Sequence, residues 1–148
     1  MAVSGTAQFE RFFRSVGSID VDKDDLKRFH DFIDEKIDDV ALAGWITAKW
    51  NGRDVVEPPD LPITKGVQER IREFDKLEEA PEILPLLRQM SRRPPDVTFS
   101  EEAEERLVHL YGGLSVALAR TFRVVDPETA NPSTEHWDRA FQLFRLLM

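Results

Sequence analysis

Residues 22–61 read DKDDLKRFHDFIDEKIDDVALAGWITAKWNGRDVVEPPDL. Leu26, Phe29, Ile33, Ile37, Val40, Gly44 and Ala48 recur at steps of three and four, which is one face of an α-helix. At ~1.5 Å per residue, a helix from Lys23 to Trp50 spans roughly 40 Å, long for a chain of this size. From Leu42 on, Trp45, Ile46 and Trp50 add apolar surface off the main stripe. The pattern predicts a central helix covered from several directions, with Trp45, Trp50 and Trp137 in the core. Asn51-Gly52 ends it. Arg53 to Val56 is a short extended piece. Glu57-Pro58-Pro59-Asp60 restarts a helix, whose inward residues Leu61, Thr64, Val67, Ile71 and Phe74 carry it to about Leu77.

Upstream, Met1 to Gly5 is expected to be loose. Phe9, Phe12, Phe13 and Val16 give a short amphipathic helix that Gly17 stops, and Ser18-Ile19-Asp20-Val21 alternates as a half-buried extended piece does. Asp22 is an N-cap candidate for the long helix, with Asp24 and Asp25 in its positive first turn. Downstream the same order returns. Ile83, Leu84, Leu87 and Met90 form a short helix, with Pro85 in its first turn or starting it. Val97 and Phe99 lie in a short extended piece, and Ser100 caps a second long helix over Ala103, Leu107, Leu110, Leu114, Ala117, Thr121 and Val125. Asp126 to Asn131 is a loop. A last helix from Pro132-Ser133-Thr134 turns Trp137, Ala140, Phe141, Phe144 and Leu147 inward. Two halves with one order of helix lengths and little residue identity are what a fused dimer would leave.

Composition narrows the function classes. The 148 residues are 41% hydrophobic, enough for one core, so a single compact domain over 1–148 is expected. There is no cysteine, hence no disulfide, thiolate metal site or cysteine nucleophile. Residues 1–8 lack the regions of a signal peptide, and no apolar run nears ~18 residues, so a soluble, cytoplasmic protein is expected, with no membrane partner. The formal net charge is -8, from 20 basic and 28 acidic residues. Residues 1–77 carry 12 Lys/Arg and 16 Asp/Glu, and residues 78–148 carry 8 and 12, so each half is -4 and the acidity is spread out. Such a surface repels phosphate and anionic lipid at long range.

The run Gly52-Arg53-Asp54-Val55-Val56-Glu57-Pro58-Pro59-Asp60-Leu61 resembles the end of a histone fold. Archaeal histones have Gly-Arg-Lys-Thr there, with an Asp seven residues after the Arg, and the two residues pair to lock the loop onto the third helix. The spacing of Arg53 and Asp60 is the same, and an Arg fork can hold a carboxylate through two parallel hydrogen bonds. With Asp20-Val21-Asp22-Lys23-Asp24-Asp25-Leu26-Lys27, Asn51-Gly52-Arg53-Asp54, Asp60-Leu61-Pro62-Ile63 and Thr134-Glu135-His136, nearly the whole chain resembles a small bacterial family of uncharacterised tandem histone-fold proteins. The resemblance implies an all-α fold: two histone-fold halves, 6–77 and 80–148, paired as an intramolecular pseudodimer with the long helices crossing antiparallel. Each half's first loop would lie beside the other half's second loop, with Val97 and Phe99 near Val55 and Val56. It implies a structural ion pair between Arg53 and Asp60, and nothing about activity.

Histones grip phosphate with basic loops. Here Asp54 and Val55 stand where true histones carry Lys and Thr, and Asp20, Asp22, Asp24 and Asp25 crowd the adjoining loop. Arg53 therefore reads as structural. A residual basic patch of Arg11, Arg14, Arg92, Arg93, Arg120 and Arg123 keeps a DNA-binding alternative open, with Arg92, Arg93 and Arg123 as its contact track. His30, His109 and His136 are scattered, with no metal-ligand spacing. His30 with Asp34, and Glu105 with His109, read as solvated helix pairs. Asp31, Asp34, Glu35 and Asp38 read as a water-exposed face, and Thr134 to Asp138 as a capping cluster. No phosphate loop or serine elbow is present. The sequence thus points away from an enzyme and implies no catalytic residue, cofactor or metal. A non-enzymatic protein-interaction module that binds a protein partner or itself comes first. A nucleoid-type DNA binder is the alternative.

Overall fold

The structure, a computed structural model, describes residues 5–90 and 93–148. Among them it is mostly helical: α1 (Thr6–Gly17), α2 (Lys23–Trp50), α3 (Lys65–Asp75), α4 (Ala80–Met90), α5 (Glu101–Val125) and α6 (Thr134–Leu147). Two short strands, β1 (Val55–Val56) and β2 (Thr98–Phe99), complete it. Side chains set the starts of the long helices. The Asp22 carboxylate accepts from the Asp25 N–H at 2.8 Å, and the Asp25 carboxylate accepts from the Asp22 N–H at 3.1 Å. Ser100 Oγ accepts from the Ala103 N–H at the head of α5, and Thr64 Oγ1 from the Val67 N–H at the head of α3.

The core is one cluster drawn from every helix, and its axis is α5, not α2. Leu107, Leu110, Tyr111, Leu114, Leu118 and Phe122 are all buried, and α1, α2, α3, α4 and α6 each pack against α5. α3 approaches it closely over Gly112-Gly113. A Cβ at Gly112 would lie 2.5 Å from the Phe74 ring, and one at Gly113 would lie 2.9 Å from the Ile71 backbone nitrogen. Leu77 and Ala80 link α3 to α4 through hydrogen-bonded turns, and Ala80 is itself buried.

Two junctions tie the ends of the molecule. At one, β1 and β2 pair in parallel, Val55 opposite Thr98 and Val56 opposite Phe99, and the Ser100 N–H donates to the Val56 carbonyl at 3.0 Å. At the other, the Asp20 N–H donates to the Ala130 carbonyl at 2.7 Å, and Arg28 donates to Thr134 Oγ1 at 3.1 Å.

Several local expectations are corrected. Glu57 to Leu61 does not start the third helix: Pro58–Asp60 is a single 3₁₀ turn, and α3 begins at Lys65. Pro62 favours that outcome, since it pushes the preceding Leu61 to extended backbone (φ -76°, ψ 124°) and has no N–H to continue the turn. Pro85 lies inside α4 rather than in its first turn. Gly17 stays helical while Ser18 takes the left-handed conformation (φ 54°). Gly17 is small for another reason: a Cβ there would meet the Ala119 carbonyl oxygen at 2.8 Å. Of the three tryptophans only Trp137 is fully buried; Trp50 is 86% exposed. The expected looseness of residues 1–4 lies outside the described residues.

Candidate functional site

Arg53 and Asp60 meet as a fork on a carboxylate. Nη1 donates to Asp60 Oδ2 at 2.7 Å and Nη2 donates to Oδ1 at 2.6 Å. Nη1 also donates to the Val55 carbonyl, and the Glu57 N–H donates to Asp60 Oδ2. The Asp60 side chain is only 3% exposed. The Arg53 hydrogen bonds hold its carboxyl below the usual carboxylate range, with the Glu57 N–H helping and burial opposing. The clasp fastens β1 and the 3₁₀ turn to one another and takes up the Nη1/Nη2 edge of the Arg53 fork.

The histidines divide into three environments. His30 is buried, against the expectation of a solvated pair with Asp34. Its ring packs edge-on to Phe9 and near Phe29, and Nδ1 lies 2.9 Å from the Tyr111 hydroxyl. Burial pushes its pKa down to about 4, so it is neutral at pH 7. One proton arrangement serves both close contacts: Nδ1–H donates to the phenol oxygen, and the phenol O–H donates to the His30 carbonyl at 3.4 Å. His109 joins α5 to α3, with Nδ1 at 2.7 Å from Asp75, and lies beside Glu105. Arg88 on α4 also binds Glu105 and holds its carboxyl below the usual range. His136 caps α6: its Nδ1 accepts from the Ser133 N–H at 2.9 Å, and its Nε2 lies 3.1 Å from Asp126. Each group is committed to a structural contact. Among the described residues no set of three His, Asp or Glu is placed to hold a metal ion.

The arginines of the basic track are mostly committed as well. Arg11 binds Glu82, Arg14 binds Asp20 and Arg120 binds Glu73. Arg93 donates to the Glu104 carbonyl at 3.1 Å, and burial draws its pKa down. Arg123 has no hydrogen-bond or ion-pair partner among the described residues. Arg92 lies outside them.

What stands open is apolar. Leu42, Ile46 and Trp50 of α2 are 45%, 57% and 86% exposed. Spaced four apart, they fall on one side of the helix over ~12 Å, opposite the buried Ala41, Gly44 and Ala48. The stripe continues towards the N-terminus through exposed Asp39 and Glu35. Lys49 flanks it, with Nζ 4.8 Å from the Trp45 ring centre and 2.9 Å from Asp54. Sequence reading put these side chains in the core. Their departure from the 26-29-33-37-40-44-48 series was the available sign that they face the other way.

A solved structure from Thermus thermophilus is 42% identical in sequence, covers 97% of each chain and matches with a TM-score of 0.84. A crystal structure of protein AQ328 from Aquifex aeolicus matches over 99% of this chain and 97% of its own with a TM-score of 0.86; at 22% identity it speaks for the fold alone. An "Uncharacterized protein" of Aquifex aeolicus (strain VF5) is 25% identical over 140 residues, which are 94% of this chain and 81% of its own. No helix among the described residues is long and apolar enough to cross a membrane. Residues 9–145 match the family described as Domain of unknown function (DUF1931), and the chain belongs to that family.

Proposed function

We propose that this chain is a non-enzymatic interaction module: two histone-fold halves, 6–77 and 80–148, paired within one chain, that associates with a second copy through the exposed side of α2. The pseudodimer reading is supported by the repeated order of a short helix, a long helix and a second short helix. The cross-half junctions support it too, β1 with β2 at one end and Asp20 with Ala130 at the other. The observation that carries the functional reading is the stripe of Leu42, Ile46 and Trp50. Large aromatic and aliphatic side chains aligned in water mark interaction sites, and tryptophan is enriched among the residues that dominate binding energy.

The occupant is a second copy. The stripe carries carboxylates at its N-terminal end (Glu35, Asp39), which also face Lys36 and Arg145, and a cation beside its C-terminal end (Lys49), which also holds Asp54. Two α2 helices packed antiparallel about Ile46 set the acidic end of one against the cationic end of the other, as a two-fold contact requires. The DNA-binding alternative has less support, because a histone-like grip needs cations that can displace counterions, and most of its described arginines already hold carboxylates or carbonyls. Sedimentation equilibrium over a range of concentrations tests self-association. The parent chain should reach a dimer, while Trp50→Glu and Ile46→Glu should stay monomeric with unchanged helix content. A parent that remains monomeric into the millimolar range, or charge variants that dimerise as it does, would contradict the reading.

A further inference from the structure

A second open feature lies away from the α2 stripe. α3, α5 and α6 bound a cleft of about 670 Å³, with Val16 of α1 at its edge. Its volume is that of a small-molecule site. Leu114 and Phe144 are buried in its wall, while Val124 and Leu147 stand 79% and 81% exposed along it. Water therefore covers large apolar side chains here that an occupant could cover instead. The α3 side is open too, since a Cβ added at Gly66 would meet nothing within 4 Å.

The charged side chains that line the cleft are all basic. Acidic residues outnumber basic ones overall, 28 to 20, yet three arginines line the cleft and no Asp or Glu does. Arg70 and Arg120 converge on Glu73, each at 3.0 Å, and Arg70 also lies 3.8 Å from Glu69, so both guanidiniums are already matched by carboxylates. Arg123 is different. It makes no hydrogen bond or ion pair among the described residues, and its charge reaches Asp126 only through space. An apolar wall with an uncommitted guanidinium matches a ligand with an apolar body and a planar anionic head, because the Arg fork fits a carboxylate in two parallel hydrogen bonds.

We propose that this cleft binds a medium-chain carboxylate, its apolar body along Leu114, Ala117, Val124 and Phe144 and its head on Arg123. Binding does not require the α2 stripe or self-association. Isothermal titration of the full chain with octanoate, and with octanol as the uncharged counterpart, tests it. Octanoate should bind saturably at one site per chain, and octanol at least about tenfold more weakly, as the loss of a charge-assisted hydrogen bond implies. Arg123→Gln should weaken octanoate by a similar factor and leave octanol unchanged. Gly66→Phe, placed where the helix has open space, should weaken both ligands while the protein keeps its melting temperature. No saturable binding of octanoate, equal binding of octanol, or parent-like octanoate binding by both variants would overturn the proposal. So would octanoate that acts only by dissociating an oligomer, since the cleft would then hold a second copy.

Discussion

His30 ties the stability of this fold to pH. Its ring lies among Phe9, Phe29 and Tyr111 and titrates near pH 4 in the folded state, against ~6.5 unfolded. Between those values the unfolded chain binds the proton that the folded chain refuses. Stability is therefore full above pH ~6.5 and falls as the pH drops towards 4, by about 3 kcal/mol in all. Asp60 acts lower on the scale. Its carboxyl is depressed by Arg53, so its contribution is present above the unfolded carboxylate value and is lost only as the pH falls below it. Urea unfolding at pH 7, 6 and 5 separates the two. The parent should lose stability steadily over this range, and His30→Leu should show a much flatter response. A parent curve that does not change between pH 7 and 5 would contradict the assignment. The contact of Arg53 with Asp60 was foreseeable through the resemblance of residues 52–61 to the end of a histone fold, whereas a spacing of seven does not by itself pair two residues. His30 was not legible. A histidine four residues from Asp34 has the spacing of a solvated helix pair, and only Tyr111, 81 positions away, gives it a reason to be buried.

Among the elements, α5 is the one on which the packing turns, and two glycines let α3 approach it. Substituting either replaces hydrogen with a methyl group aimed at Phe74 or at the Ile71 backbone. Alanine normally favours a helix over glycine by ~1 kcal/mol, so the sign of the change is informative. Gly113→Ala should destabilise by about 1–3 kcal/mol, because the backbone of α3 cannot step aside as a flexible side chain would. Gly66→Ala in α3 itself, where the added carbon meets nothing, should stabilise by roughly 0.5–1 kcal/mol. Thermal melts of the two single variants check both signs. Equal shifts would mean that α3 does not sit as close to α5 as described. The sequence outlined α5 through its apolar steps and the Ser100 cap, but periodicity says which side of a helix is buried and not how near its neighbour comes. For the same reason α2 looked central: its long apolar pattern was read as burial on several sides, while Leu42, Ile46 and Trp50 face water.

At the scale of the molecule, the order of the described helices followed from caps, breakers and period, since each of those signals is local, while the start and length of α3 did not. The route from Glu57 to Thr64 did not, because adjacent prolines fit a helix start and a 3₁₀ turn equally well until the Arg53 clasp is seen. The cleft beside Arg123 was not legible at all, as its wall comes from helices far apart in sequence. We propose that neither 6–77 nor 80–148 folds alone. Ile71 and Phe74 lie against Gly112 and Gly113, and β1 pairs with β2. Separate chains of residues 1–78 and 79–148 test this directly by far-ultraviolet circular dichroism during heating. Each alone should show no cooperative melt, and an equimolar mixture should recover helix content and one cooperative transition. A cooperative melt by either fragment alone, as a monomer, would contradict the account.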